Sequence, residues 1–259
     1  MAGFLFHEVV FGPVRSRRLG LSLGINLLPT HSKYCSFNCI YCECGWTPPV
    51  SGTLPEIPSR EEVFWYLEKQ LKELKEEDYL PDAITFAGNG EPTIHPGFPQ
   101  IVEDTISLRN LYAPDAKVTV LSNASLLNRE EVFRALLRLD HNIQKLDAGS
   151  DRIFRLMNNP VEPVRLEELV NNLKRFHGNV IIQSMFLRGI YKGEEVDNTT
   201  DEEVSKWLNH LQEITPKSVM IYPVARATPV HTLEKIPIFT LEKIAEKVRA
   251  AGLKVEVYQ

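Results

Sequence analysis

Apolar runs and amphipathic segments alternate along almost all of this 259-residue chain, and that alternation limits the folds open to it. Seven apolar or β-branched runs predict strands at residues 21–28, 83–86, 117–121, 143–146, 180–186, 218–222 and 253–257. Six segments with apolar residues at i, i+3 and i+4 predict helices at residues 59–77, 98–112, 128–139, 166–177, 200–214 and 240–251. Such alternation produces parallel strands joined by helical crossovers. The fold class is therefore α/β, and the pattern leaves an open doubly wound sheet and a barrel as alternatives.

Capping residues mark the predicted helix ends. Capping-box spacing is found at Ser59 with Glu62, Asn128 with Glu131 and Thr200 with Glu203, and Thr240 is a further N-cap candidate. Gly178 and Gly252 stand where helix C-caps belong.

The composition is typical of a globular protein that does not act through net charge. Lys and Arg total 29 against 34 Asp and Glu, so the formal charge is −5, which disfavours a protein that coats nucleic acid. No apolar run approaches the roughly 20 residues of a membrane-spanning helix, and residues 1–8 break off too soon for a secretory signal. Without a linker or an internal repeat, we expect a single cytoplasmic domain over residues 1–259, with no membrane partner.

All four cysteines lie within ten residues, at Cys35, Cys39, Cys42 and Cys44. A disulfide framework would spread its cysteines along the chain, so this clustering indicates a metal site. The first three have the spacing C-x-x-x-C-x-x-C, and soft thiolates favour zinc or an iron–sulfur cluster. Zinc is the weaker interpretation, because no second C-x-x-C and no H-x-x-x-H follows. Three thiolates would leave one iron of a four-iron cluster open to a reactant, unless Cys44 closes it.

Residues 35–42, with the aromatic Tyr41 directly before the third cysteine, resemble the cluster motif of the radical S-adenosylmethionine (radical SAM) enzymes. Residues 11–20 and 22–26 resemble the lead-in of a subgroup related to the wyosine-forming tRNA enzymes. This chain lacks the additional cysteines of those enzymes, and the resemblance otherwise extends over most of its length.

The resemblance implies a partial (β/α)6 TIM-like barrel of the radical SAM type. Its parts would be an N-terminal lead-in over residues 1–20 and a cluster loop over residues 29–46. The implied metal ligands of a 4Fe-4S cluster are Cys35, Cys39 and Cys42, with S-adenosylmethionine (SAM) bound at the open iron.

The implied activity is oxygen-sensitive reductive cleavage of SAM to a 5′-deoxyadenosyl radical, which abstracts hydrogen from a substrate that the sequence does not identify. An electron donor such as flavodoxin or ferredoxin is implied as a partner. The alternatives are a wyosine-like tRNA modification, a glycyl-radical activating role, and a non-catalytic cysteine module that binds zinc or an electron-transfer cluster. RNA, a peptide and a small metabolite all stay open as substrates.

Candidate cofactor contacts stand where predicted strands end, because the chemistry of parallel α/β folds gathers there. The contacts implied by the resemblance are Tyr41 and the turn formed by Gly88, Asn89, Gly90 and Glu91, which would receive the amino group of SAM. The glycines of this turn would allow a ligand to approach the backbone closely.

Further candidates follow the later strands. Ser122 and Asn123 could bind the carboxylate or ribose of SAM, or they could form a turn. Asp147 could accept hydrogen bonds from ribose, bind substrate or cap a helix. Gln183 interrupts an apolar strand, and its partner would be either the cofactor or a structural network.

Two further groups have weaker indications. Arg15, Arg17 and Arg18 form a tight basic group that could bind an anion over the barrel opening or pair with helix carboxylates. Tyr222 and Arg226 could contact substrate or belong to a surface loop.

Overall fold

The computed structural model describes residues 3–49 and 55–259, and within them ten strands form one sheet. The strands are β1 (Val10–Ser16), β2 (Gly20–Ile25), β3 (Ala83–Phe86), β4 (Lys117–Ser122), β5 (His141–Lys145), β6 (Ile181–Tyr191), β7 (Glu194–Asp197), β8 (Ser218–Pro223), β9 (Glu234–Lys235) and β10 (Val255–Val257). Seven of them, β2 to β6 with β8 and β10, are parallel and follow one another in chain order. A doubly wound sheet reverses its strand order, whereas this order is that of a barrel wall. All seven predicted strands are therefore confirmed, and the architecture is a partial barrel whose edges are β1 and β10.

Seven helices connect the strands of the described residues. They are α1 (Arg60–Glu76), α2 (Phe98–Tyr112), α3 (Glu130–Leu136), α4 (Asp151–Asn158), α5 (Leu166–Lys174), α6 (Asp201–Ile214) and α7 (Ile238–Ala250). Six match predicted helices, whereas α4 was not predicted because eight residues are too few to show a clear helical period. In this part of the chain, no helix is both long and apolar enough to cross a membrane.

Three of the predicted helix caps are confirmed. Ser59 and Glu62 form a full capping box, in which the Glu62 N–H donates to Ser59 Oγ at 3.2 Å and Glu62 Oε2 accepts from the Ser59 N–H at 2.7 Å. Thr200 caps α6 by accepting from the Glu203 N–H at 3.3 Å. Gly252 follows the C-cap residue of α7 with φ +80°, a conformation that glycine adopts without strain.

The N-caps predicted at Asn128 and Thr240 are wrong. Asn128 lies inside a turn closed by the Arg129 N–H, and α3 begins only after Arg129. Thr240 is already helical, because its N–H donates to the carbonyl of Pro237, the N-cap residue of α7. Gly178 has φ +85° but lies beyond the C-cap of α5, since that helix ends earlier than predicted.

Strand β1 lies within the predicted lead-in and runs antiparallel to β2, from the pair Val10–Ile25 to the pair Ser16–Gly20. An irregularity between Phe11 and Val14 breaks its alternation, and for that reason no strand was predicted. The Phe11 ring covers Gly24, where a Cβ would come within 2.1 Å of it. Strand β1 is thus an edge strand that pairs with β2, and its Phe11 ring lies over Gly24 of β2.

Strand β6 continues beyond the predicted range of 180–186 to Tyr191. Its first part pairs with β8, and the part from Leu187 onward pairs antiparallel with β7 and β9. A small antiparallel rim therefore extends past the carboxyl end of the parallel sheet.

Alternate side chains of the parallel strands face the helices and the barrel interior. On the helix side, fully buried residues such as Ile84, Phe86 and Val120 belong to the main core. On the inner side, Ile143, Ile181 and Met220 form a second cluster, packed against Leu19 of the turn between β1 and β2, among other side chains. Ile143 and Ile181 lie two residues nearer the amino ends of their strands than Lys145 and Gln183, which are on the same face.

Candidate functional site

The cysteine-bearing loop follows β2 and crosses the carboxyl ends of the parallel strands. On one side, the Tyr34 N–H donates to the Asn89 carbonyl, after β3, at 2.8 Å. On the other side, the Ile40 N–H donates to the Met157 carbonyl, in α4, at 2.9 Å. Backbone hydrogen bonds thus attach both sides of the loop to structures that follow different strands.

All four cysteines are free, and asparagine side chains reach two of them. Asn123 Nδ2 lies 3.6 Å from Cys35 Sγ, and Asn158 Nδ2 lies 3.7 Å from Cys39 Sγ. Hydrogen bonds from amides to sulfur stabilise negative charge on the sulfur, and they are one means by which proteins tune thiolate-bound clusters.

A buried lysine faces the thiols. Lys33 is 3% exposed, and its Nζ donates to the Gly45 carbonyl at 2.9 Å. Burial lowers the pKa of Lys33, but the thiols of Cys42, Cys35 and Cys39 raise it above the ordinary value. Lys33 is thus buried, and its Nζ is bound to the turn that carries Cys42.

The thiols differ in how readily they lose a proton. Burial raises the pKa of Cys35, and it raises the pKa of Cys39 to about 11. A hydrogen bond from Cys44 lowers the pKa of Cys42, and the charge of Lys33 lowers it further, while the pKa of Cys44 rises. Because the thiolate is the metal ligand, binding of a metal must displace protons from buried thiols.

The donor set fits an iron–sulfur cluster by its chemistry. Cys35, Cys39 and Cys42 are soft ligands on one loop, and the buried ammonium of Lys33 supplies the positive charge that an anionic core needs in a dry site. The Cys44 thiol lies beside Cys42 and 3.6 Å from the Gly88 carbonyl oxygen. Among residues 3–49 and 55–259, no three His, Cys, Asp or Glu side chains are grouped as the ligands of a single metal ion.

The turn after β3 is built against the cysteine loop. Gly90 has φ +145°, and a Cβ there would lie 1.8 Å from the Tyr34 carbonyl oxygen. Gly88 has φ +147°, and a Cβ there would lie 2.4 Å from Asn26 Oδ1. The chain itself makes the close approach that these glycines permit, and a SAM contact at this turn stays a prediction.

The polar side chains of the same turn have partners inside the protein. Asn89 Nδ2 donates to the carbonyls of Pro29 at 2.7 Å and Phe6 at 2.8 Å. Glu91 Oε2 accepts from the Asn123 N–H at 2.6 Å, and burial raises the pKa of Glu91. The side chains of Asn89 and Glu91 are therefore occupied inside the protein.

Ser122 ends β4 and Asn123 follows it, and the two form the turn that the sequence offered as one alternative. Ser122 Oγ accepts the backbone N–H two residues on at 3.1 Å, and Asn123 Oδ1 accepts from the Ser125 N–H at 3.0 Å. Asn123 Nδ2 also donates to Ser36 Oγ at 2.9 Å, beside its contact with the first cysteine. Turn formation and proximity to the site thus coexist at Asn123.

A buried polar cluster behind the cysteines centres on Asp147. Its Oδ2 accepts from the Tyr41 hydroxyl and, at 2.8 Å, from Asn158 Nδ2. Its Oδ1 accepts from the Met185 N–H at 2.8 Å and lies 3.2 Å from Lys145 Nζ. Burial raises the pKa of Tyr41, which stays a hydrogen-bond donor. Both carboxylate oxygens are occupied, and the aromatic residue of the cysteine motif is anchored to the end of β5.

Lys145 and Gln183 are register partners on β5 and β6 and share one face of the sheet. Lys145 Nζ donates to the Tyr222 hydroxyl at 2.9 Å and lies 5.1 Å from the Tyr41 ring centroid. Burial lowers the pKa of Lys145, but Asp147, Tyr222 and Cys39 together raise it above the ordinary value. Gln183 is 4% exposed, and its Nε2 has no partner within the described part of the chain. A buried donor of this kind fits a contact with a bound molecule.

A cavity of about 810 Å³ opens beside the cysteines. Residues 42–46 of the cysteine loop and residues 226–229 after β8 line it, and Arg226 pairs with Glu43 at 2.6 Å. Trp46 stacks on Tyr191 of the antiparallel rim, with ring centroids 6.2 Å apart. The volume lies within the range of about 300 to 1,000 Å³ that small-molecule sites occupy.

The arginine group, which the sequence allowed to lie over the barrel opening, is not at the cysteine end of the barrel. Arg15, Arg17 and Arg18 lie at or beside the turn that precedes β2, whereas the cysteine loop follows β2. The antiparallel pairing of β1 therefore carries them to the opposite end of the sheet. Arg18 reaches the interior from there, with its guanidinium 4.9 Å from the centroid of the Tyr222 ring.

Three residues of the site were not singled out from the sequence. Asn158 belongs to α4, which was not predicted. Lys145 precedes Asp147 by two residues at the end of a buried strand, and that alternation of charges was a usable signal. Lys33 gives no such signal, because a buried lysine and a surface lysine look alike in a sequence.

Known proteins were compared with this chain by family, by sequence and by structure. Residues 30–202 match the model of the family described as the Radical SAM superfamily. "GTPase Obg" of Brachyspira hyodysenteriae is 31% identical over 252 residues, which are 96% of this chain and 34% of that protein. "UPF0026 protein MJ1312" of Methanocaldococcus jannaschii is 32% identical over 216 residues, 80% of this chain and 61% of that protein. "UPF0026 protein slr1464" of Synechocystis is 31% identical over 229 residues, 85% of this chain and 77% of that protein.

This chain therefore spans a third to about three fifths of the first two relatives. Among solved structures, a radical SAM methyltransferase from Sphaerobacter thermophilus has a TM-score of 0.66 at 15% identity, over 92% of this chain and 65% of its own. A structure of TYW1 with a lysine-pyruvate adduct bound has a TM-score of 0.64 at 14% identity, over 88% and 73%. These likenesses confirm the predicted barrel architecture. Because the matched residues 30–202 contain the cysteine loop and the strands from β3 to β7, this chain is an enzyme that belongs to the radical SAM superfamily.

Proposed function

We propose that this enzyme holds a 4Fe-4S cluster on Cys35, Cys39 and Cys42 and cleaves SAM reductively, with an electron from a donor such as flavodoxin or ferredoxin. Membership of the superfamily supports the presence of SAM and an iron–sulfur cluster. The observation that carries the proposal is the set of three thiols at the carboxyl ends of the strands, facing the buried charge of Lys33.

When bound, the cluster and SAM would supply a 5′-deoxyadenosyl radical that takes hydrogen from a substrate. The residues of this chain would position SAM and the cysteine ligands. Gln183 would contribute its Nε2, which has no partner among the described residues, and the turn from Gly88 to Glu91 lies against the cysteine loop. Tyr41 and Asn158 hold the cysteine loop against Asp147, so that the ligands keep their orientation.

The cavity beside the cysteines is the proposed approach for the substrate. Phe4 and Trp46 provide apolar lining, and the pair of Glu43 and Arg226 provides polar lining. Mixed lining of this kind orients a substrate and excludes water, which protects a reactive intermediate from side reactions.

The test is anaerobic reconstitution with iron and sulfide, followed by reduction with dithionite in the presence of SAM. We expect about four irons per chain and formation of 5′-deoxyadenosine. Cys39→Ala should lose both. Cys44→Ala is the matched control and should retain both, because it leaves the three proposed ligands Cys35, Cys39 and Cys42 in place.

Stoichiometric zinc without iron in the anaerobically purified chain would contradict the proposal. Formation of 5′-deoxyadenosine by Cys39→Ala at the wild-type rate would contradict it as well.

A further inference from the structure

We propose that Asn89 is a positioning residue that fastens residues 3–9 against the cysteine loop, so that this N-terminal segment closes one side of the cavity beside the cysteines. The inference rests on the proposed function, because that cavity is the proposed approach for the substrate. It gives the side chain of Asn89 a role toward the protein itself.

The Asn89 side chain is fully buried and joins separate parts of the chain. Its Oδ1 accepts from the Phe6 N–H at 2.9 Å, and its Nδ2 donates to the Phe6 carbonyl at 2.8 Å. The same Nδ2 donates to the Pro29 carbonyl at 2.7 Å. The two bonds to Phe6 have the form of a backbone pair between neighbouring strands. One side chain therefore fixes residue 6 relative to the turn after β3.

Aromatic packing supports the N-terminal segment from the side of the sheet. The Phe6 ring stacks on the Phe11 ring with centroids 3.7 Å apart, and the Phe11 ring lies over Gly24 of β2. The Phe4 ring meets the Phe6 ring edge to face, with centroids 5.0 Å apart. Three rings thus form a column from β2 to the cavity, where Phe4 is 57% exposed.

The tip of the N-terminal segment packs directly on the turn that follows the third cysteine. The Phe4 N–H donates to the Glu43 carbonyl at 2.8 Å, and a Cβ at Gly3 would lie 2.2 Å from the carbonyl carbon of Cys44. Gly3 and Phe4 line the cavity together with residues 42–46 of the cysteine loop. The segment is therefore one wall of the cavity, and a closed wall keeps water away from a reactive intermediate.

The experiment measures hydrogen–deuterium exchange and thiol labelling by iodoacetamide in the metal-free full chain. Asn89→Ala should speed the exchange of the Phe6 amide by about tenfold, because this N–H loses its acceptor. It should also speed the labelling of Cys42 and Cys44, which line the cavity. Asn142→Ala is the matched control, since it removes a buried asparagine of β5. It should leave both rates near those of the wild type, and urea denaturation measures the stability of each variant.

A second variant, Gly3→Ala, tests the wall without a change at Asn89. Its Cβ would collide with the backbone of Cys44, so the tip of the segment should move off the turn. Labelling of Cys42 and Cys44 should then rise, while the free energy of unfolding stays near that of the wild type. After reconstitution with iron and sulfide, Asn89→Ala and Gly3→Ala should lose the visible absorbance of the cluster in air faster than the wild type.

Wild-type rates of exchange and labelling in Asn89→Ala would overturn the proposal. Equal increases in Asn142→Ala at a similar loss of stability would overturn it as well, because the effect would then follow from stability alone. If Asn89→Ala does not fold, unchanged labelling in Gly3→Ala would overturn it. A wild-type chain that binds no iron would remove the proposed function, whereas the rates in the metal-free chain would still decide the role of Asn89.

Discussion

At the scale of single residues, Asp147 joins more of the site than any cysteine does. One carboxylate accepts from Tyr41, Asn158 and the Met185 N–H, and it pairs with Lys145. The sequence pointed to Asp147 as a ligand contact or a helix cap. The helix cap is in fact Ser150, and Asp147 organises the buried polar cluster.

We predict that Asp147→Asn lowers the free energy of unfolding by about 3 kcal/mol, because it leaves the buried Lys145 ammonium without its counter-charge. Urea denaturation of the metal-free protein measures the effect. The double variant Asp147→Asn/Lys145→Met should lose less than the sum of the two single losses, since the pair is coupled. Strictly additive losses would show that the two charges do not interact.

At the scale of elements, the turn after β3 and the cysteine loop are in direct backbone contact. Gly90→Ala should destabilise the protein by several times the roughly 1 kcal/mol of a strained backbone, because its Cβ would lie 1.8 Å from the Tyr34 carbonyl oxygen. It should also reduce iron incorporation. Gly193→Ala is the matched control, because Gly193 has φ +80° but nothing within 4 Å of its Cβ position. Equal losses in the two variants, measured by urea denaturation and iron analysis, would contradict this account.

The junction of α2 with β4 gives the protein a pH-dependent contact. Asp140 Oδ2 accepts from the Val118 N–H at 2.8 Å and from Arg109 Nη1 at 2.9 Å. Burial raises the pKa of Asp140. The two hydrogen bonds, with the charges of Arg109 and Lys117, lower the pKa by more than burial raises it, so that it lies below its ordinary value. A depressed folded pKa means that the stabilisation is complete above the unfolded pKa and is lost as the pH falls through the folded pKa.

We predict that Asp140→Asn lowers the free energy of unfolding by about 1 kcal/mol at neutral pH, because it weakens hydrogen bonds to a charged group. The difference from wild type should shrink as the pH falls below about 4 and approaches the folded pKa. Urea denaturation at several pH values measures it. A difference that stays constant down to the acid limit would show that the charge of Asp140 is not its source.

At the scale of the whole molecule, the cysteine loop is attached to structures that follow several strands of the partial barrel. It bonds to the turn after β3, to α4 and, through Phe4, to the N-terminal segment. Ordering this loop by a bound cluster should therefore stabilise the chain as a unit. We predict a higher melting temperature for the reconstituted protein, by about 2 to 4 °C for each kcal/mol of binding. Anaerobic circular dichroism before and after iron chelation tests it, and identical melting temperatures would show that loading is not coupled to folding.

Local patterns were sufficient for much of this protein. The periods of apolar residues predicted seven parallel strands and six helices, because burial on a sheet or helix face repeats over a few residues. The spacing of Cys35, Cys39 and Cys42 likewise indicated metal chemistry, since one short loop brings all three thiols together and no distant part of the chain is needed.

Other features depend on contacts between distant residues, and no local pattern contains them. The chain order of the strands decides for a barrel over a doubly wound sheet, and the antiparallel pairing of β1 carries Arg18 away from the cysteines. The residues next to Lys33 in the sequence do not show that this side chain is buried. Likewise, only the packing of β6 between β5 and β8 leaves Gln183 Nε2 without a partner among the described residues. Burial and polar satisfaction are properties of packed neighbours, so they exist only once the chain has folded.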